Sequence, residues 1–303
     1  MMEQINLQGS VRAALSFVAG HVPGLIKASL WPFVAMLALT FLQMQVEQHQ
    51  FQAVIDTNAA AFNFGTDAWS LAGLVLELAV TLVSFWLFVR IVQVHAGRAN
   101  PGLGLARGEA KNAGMSALYA LAIYLPIVLV IGGMLVLTAL VLGLTEDPES
   151  LKNLSGPALA VLLLFFVSGF VIFFALSARF SVALVDVGLG ARPRIYRGIW
   201  HLTENIGAGL PWRLFGLALL MLVIVSVVFT PLTAARTPAS VLALTKESSA
   251  VEVAKAQIEW LQALWPLQLA YLPVGIALNW VITVFVAEVY QRARAARPQP
   301  PAK

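Results

Sequence analysis

Six apolar runs, each long enough to cross a lipid bilayer, dominate this chain of 303 residues. They lie at 25–46, 69–94, 115–144, 157–185, 212–235 and 265–290. A spanning helix needs roughly 20 mainly apolar residues, and its backbone must satisfy its own hydrogen bonds because hydrocarbon offers none. Only 11% of the residues are charged, whereas a soluble domain carries about 25%. So few charges cannot cover a water-facing surface. The expected fold is all-α: a polytopic membrane bundle of about six transmembrane helices, with short interfacial amphipathic helices beside it. The runs at 115–144 and 157–185 exceed a straight span, so tilt or extension beyond the bilayer is expected. Pro126 and Pro273 fall inside runs. Each removes an amide donor, which predicts a kink there.

Charge placement sets the expected orientation. Fifteen of the 19 Lys and Arg residues stand beside one set of run ends, and four (Lys152, Arg236, Lys246, Lys255) beside the other. By the positive-inside rule the richer side is cytoplasmic. Both termini then lie inside, which requires an even number of spans. The acidic stretch "TEDPES" and the region holding Glu47, Asp56 and Asp67 fall outside, consistently. Arg-rich, Ala-rich usage points to a GC-rich bacterium, hence the inner membrane. Basic residues confined to span ends mark topology and predict no nucleic-acid partner. Residues 1–28 open polar, without the pattern of a cleaved signal, so the first run is expected to be a retained span.

Three regions follow. Residues 1–24 form an N-terminal interfacial helix, with Ile5, Val11, Leu15, Val18 and Val22 on one stripe and Ser10 and Arg12 off it. Residues 25–290 form the transmembrane domain. Residues 291–303 form a basic, proline-rich cytoplasmic tail. Two further segments read as interfacial helices, 193–204 and 250–264, the latter opened by a capping box of Ser249 and Glu252. A faint repeat links the second and fourth runs. Each is followed by a proline, an Arg-Gly step (Arg107-Gly108, Arg197-Gly198) and an Asn-x-Gly (Asn112 to Gly114, Asn205 to Gly207).

The second of those links carries a resemblance. Arg179 closes the fourth run, Asp186 and Gly188 follow, then an amphipathic segment with Trp200, then the pair Trp212-Arg213 opening the fifth run. The closing "VAEVYQRARA" adds an aromatic followed by Arg. This pattern resembles bacterial six-helix membrane proteins related to the membrane domain attached to some glycerophosphodiester phosphodiesterases. The resemblance implies an all-helical membrane fold. In fused members the phosphodiesterase chemistry belongs to a separate soluble domain, so the resemblance implies no catalysis by these residues.

Catalytic templates are missing from the sequence. There is no G-x-x-x-x-G-K-[ST], H-E-x-x-H or G-x-S-x-G, and no cysteine for thiolate or zinc chemistry. His201 and Glu204, three apart, fall short of the three or four ligands a metal needs. No cofactor, no metal site and no enzyme activity are expected.

Polar residues within the apolar runs are the remaining signals. Glu77 lies inside the second run, where an acidic group costs about 2.5–3.5 kcal/mol in hydrocarbon. It is expected to face other helices, with Asn279 of the sixth run as its partner. Arg90, Arg179, Asp186 and Glu288 stand at the cytoplasmic ends of runs. They are expected either to snorkel or to form a buried network. Arg194, Arg197 and His201 share a face of 193–204, with Glu204 beside them and Arg213 close by, and suit anionic lipid headgroups. The sequence therefore supports a non-enzymatic membrane protein that acts through lipid contact, or as a scaffold or component of a larger assembly with other membrane proteins. The alternative is a small transporter with a polar site at Glu77 and Asn279.

Overall fold

The computed structural model describes residues 6–57, 68–97, 107–141, 156–193, 196–204, 206, 209–245 and 248–296. Among them the chain is all-helical, with no strand. The helices are α1 (Leu7–Gly20), α2 (Val22–Thr57), α3 (Ala68–His95), α4 (Arg107–Val141) and α5 (Gly156–Gly188). After them come α6 (Tyr196–Thr203), α7 (Gly209–Arg236), α8 (Ala239–Leu242) and α9 (Ala250–Ala295). Five are long and apolar enough to cross a membrane: α2, Trp69–His95 of α3, Val167–Gly188 of α5, α7 and α9. The chain is a multi-pass membrane protein. The run expected at 115–144 falls mainly on α4, whose side chains at 126–131 and 134–141 lie outside the described residues.

Helix ends follow local chemistry. The Asn6 side chain accepts from the Gly9 amide and opens α1. The chain breaks at His21, and Pro23 sits in the first turn of α2, where a missing N–H costs nothing. Gly97 and Gly190 each follow a helix end by two residues and take positive φ, +65° and +87°. Only glycine adopts that conformation without strain.

The long helices form a ring in chain order. The contacts run α2–α3–α4–α5–α7–α9, and α9 closes the ring against α2 while also touching α1, α3 and α5. The core sits at one end of this ring. Leu87, Ile91 and Val92 of α3, Val182 and Val185 of α5, and Phe285 and Val289 of α9 are buried there. Elsewhere the helices turn large apolar side chains outward, among them Leu74 and Leu78 of α3 and Leu222, Val227 and Leu232 of α7. An apolar surface of this extent is stable only against lipid.

Two local expectations are corrected. Residues 250–264 are not a separate helix. They are the first part of α9, which runs unbroken for 46 residues through Pro266 and Pro273. The expected capping box of Ser249 and Glu252 is present and starts it. A proline removes one donor, and packing against several helices outweighs that loss. At 1.5 Å per residue α9 is about 69 Å long, well beyond the roughly 30 Å of hydrocarbon. The second correction concerns α1. Its buried positions are Leu7, Ser10 and Ala14, while Leu15 is exposed. The small side chains of Ser10 and Ala14 allow close approach to α9, and the Ser10 hydroxyl donates to the Asn6 carbonyl, so its burial costs little.

Candidate functional site

At the packed end of the ring, polar groups are locked between helices. Arg90 is fully buried. Its Nε lies 3.5 Å from Glu109 Oε2, an ion-pair distance, and its Nη1 donates to the Ala28 carbonyl at 3.3 Å. Its guanidinium also stands 5.5 Å from the Trp86 ring centroid. This one side chain therefore ties α3 to α2 and α4. A buried guanidinium persists only when paired, since its desolvation is costly.

Two further linkages extend the layer. The Tyr290 hydroxyl donates to Asp186 Oδ1 at 2.5 Å, joining α9 to α5, and Arg294 Nη1 reaches the same hydroxyl at 3.5 Å. His95 Nε2 pairs with Glu288 Oε1 at 2.9 Å, and Gln291 bonds the other ring nitrogen at 3.2 Å. Arg292 lies 3.8 Å from Glu288 and donates to the Asn6 carbonyl, so α9 also anchors the start of α1. Phe17 of α1 meets the His95 ring edge-on at 4.8 Å. Of the residues expected at the span ends, Arg90, Asp186 and Glu288 thus join networks rather than snorkel.

Arg179 stands apart from these networks. It lies beside an apolar cleft of about 400 Å³ between α5 and α7. The short helix α6 folds back over it. Arg179 Nη1 donates to Thr203 Oγ1 at 3.0 Å, and the guanidinium stacks over Trp200 at 4.0 Å. Ile199, Leu202 and Thr203 face the core, while Trp200 is exposed at the cleft. The cleft walls are Val171, Ala175 and Leu176 of α5 and Leu210, Trp212 and Phe215 of α7.

The other expected residues are placed as follows. Arg197 is exposed on α6, and Arg213 is half-buried near the start of α7. His201 Nδ1 lies 3.3 Å from Glu204 Oε2 on the surface. Arg194, the stretch at 145–150 and the tail from residue 297 lie outside the described residues. Glu77 and Asn279 are both exposed. Asn279 Oδ1 accepts from Thr283 on its own helix, and Glu77 is within electrostatic reach of Glu47 on α2. No hydrogen bond or ion pair joins Glu77 to Asn279 among the described residues. Nor do three His, Asp or Glu side chains converge there as a metal would require.

The sequence reading missed Glu109, Thr203 and the pair Ser29–Trp280, whose indole N–H donates to the hydroxyl at 2.7 Å, and it had Tyr290 only as the aromatic of the closing pattern. A polar group within or at the end of a helix was legible in each case. Its partner was not, because the partner sits on a helix distant in sequence. No family model, curated protein or solved structure matches this chain.

Proposed function

We propose that this chain is a non-enzymatic, six-span protein of a bacterial inner membrane, with both termini cytoplasmic, that works through lipid contact as a membrane scaffold or assembly component. The observation that carries this reading is the asymmetry of packing. One end of the helix ring is cross-tied by buried polar links, and the rest presents apolar side chains outward. A transporter needs a polar site reached by water near the midplane. Here the polar side chains that tie helices together, among them Arg90, Asp186 and Glu288, lie at one end and are engaged with partners in the chain. α4, at 35 residues and packed between α3 and α5, serves as the third of the six spans. The concentration of Lys and Arg beside the packed end supports its cytoplasmic placement. α1 and α6 lie along the membrane surface at that end. The resemblance to the membrane domain attached to glycerophosphodiester phosphodiesterases supports the helical architecture and the separation of this unit from catalysis.

The test is topology. Reporter fusions after residues 105, 205 and 300 should read cytoplasmic, and those after 150 and 248 extracytoplasmic. An extracytoplasmic reading at residue 300 overturns the six-span arrangement.

A further inference from the structure

We infer that the cleft between α5 and α7 is a binding site for one anionic glycerophospholipid, with its phosphate on Arg179 and an acyl chain along the apolar wall. This rests on the membrane reading above and adds to it a particular site and ligand class.

Arg179 is the starting point. A guanidinium carries five N–H donors in a planar fork that matches a phosphate. Among the described residues, Arg179 spends one hydrogen bond on the protein, to Thr203, and has no carboxylate partner. That contrasts with Arg90, Glu288 and Asp186, all of which are matched within the protein. A side chain that merely snorkels would extend freely toward water. Arg179 is instead pinned from two sides, by the Thr203 hydroxyl and the Trp200 face. Thr203 is itself held, donating to the Ile199 carbonyl at 2.9 Å. The guanidinium is therefore positioned, with its charge unmatched, at the edge of a cleft.

The rest of the cleft selects the ligand. Its volume of about 400 Å³ falls within the roughly 300–1,000 Å³ typical of small-molecule sites. Apart from Arg179 its walls are almost entirely apolar, which suits a hydrocarbon chain and repels a free ion. From Val171 to Arg179 the wall extends about 12 Å along α5, at 1.5 Å per residue. A ligand with a charged head and a hydrocarbon tail matches both features at once. Trp200 and Trp212 are exposed at the cleft, the placement aromatic side chains take at headgroup depth. Arg197 and Arg213 add positive charge nearby, while Glu204 is engaged with His201, so the local field favours a net-negative headgroup.

The test uses the full chain purified in detergent, incubated with equal amounts of phosphatidylglycerol and phosphatidylethanolamine and read by native mass spectrometry. The parent should retain one phosphatidylglycerol in preference to phosphatidylethanolamine. Arg179→Gln should weaken phosphatidylglycerol retention about tenfold, the loss of one charge-assisted contact, and abolish the preference. Ala175→Trp, which fills the cleft, should lose both lipids. Arg236→Gln, at the far end of α7, should behave as the parent. Retention of phosphatidylglycerol by Arg179→Gln at the parental level overturns the inference. So does an equal loss in Arg236→Gln. Should Arg179→Gln fail to fold, Arg179→Lys and Ala175→Trp decide: unchanged retention in Ala175→Trp overturns the site. The topology fusions are independent, so failure here with cytoplasmic readings at 105, 205 and 300 removes the lipid site and leaves the membrane reading standing.

Discussion

The Ala28 carbonyl, which Pro32 deprives of its helical donor, is the one that Arg90 reaches. In an α-helix the amide of residue 32 would bond the carbonyl of residue 28, and proline has no amide hydrogen. Ala28 is fully buried, so water cannot compensate. Arg90 Nη1 supplies the missing donor at 3.3 Å from a helix 62 residues away in sequence. Proline and arginine are therefore energetically coupled. Arg90→Gln should cost about 1–3 kcal/mol less in a Pro32→Ala background than in the parent, because the restored helical bond no longer leaves the carbonyl unsatisfied. Equal costs in the two backgrounds, measured by reversible unfolding in mixed micelles, would show that the contact carries no energy.

Arg90 and Glu109 form a second coupled pair, and both are buried. Removing one partner leaves the other without its counter-charge. Arg90→Met alone should destabilise the protein by about 3–5 kcal/mol, and Glu109→Met in the same chain should restore at least half of that. The same unfolding assay reads both. A double variant no better than the single one would mean that Arg90 is held chiefly by its other contacts.

Much of the architecture was legible because it follows from local composition. Apolar runs locate the long helices, and Ser249 with Glu252 marks the start of α9 before any tertiary contact is considered. Residues at the span ends, such as Arg90 and Asp186, were identifiable as unusual. Their partners were not. Which carbonyl Arg90 bonds depends on α2 and α3 being neighbours, and nothing in the local sequence states that. The continuity of α9 was hidden for a related reason: 250–264 read as a separate helix and Pro273 as a kink, and only the surrounding helices explain why Pro266 and Pro273 are tolerated in one helix. The role of Arg179 became visible only with α6 folded back over it.

The attachment of α1 should respond to a single cap. Asn6 accepts from the Gly9 amide through its side chain and from Arg292 through its carbonyl. A side chain at Gly9 would meet Arg292 Nη1 at 3.0 Å from its Cβ. Asn6→Ala should cost about 1 kcal/mol in helix capping, seen as faster amide hydrogen exchange across the first turn of α1. Gly9→Leu should push Arg292 aside and raise exchange along the whole helix. Protection unchanged in Gly9→Leu would place the anchor of α1 elsewhere, in its apolar contacts with α9.

Glu77 offers a test in the opposite direction. From sequence it reads as a helix-joining group, yet its side chain is exposed on α3 and faces the like-charged Glu47 of α2. Its own backbone carbonyl accepts from the Thr81 hydroxyl at 2.9 Å, a local contact that any side chain at 77 preserves. An acidic group on an apolar, lipid-facing surface costs about 2.5–3.5 kcal/mol when it lies near the bilayer centre, and less toward either face. Replacing it by leucine removes that cost and the repulsion from Glu47 together. Glu77→Leu should therefore stabilise the protein by about 1–3 kcal/mol in lipid nanodiscs, with Glu77→Gln between it and the parent. The Glu47→Gln variant should reduce the gain from Glu77→Leu, since the repulsive part is already gone. Destabilisation by leucine would show instead that the carboxyl group binds something its exposed position leaves room for.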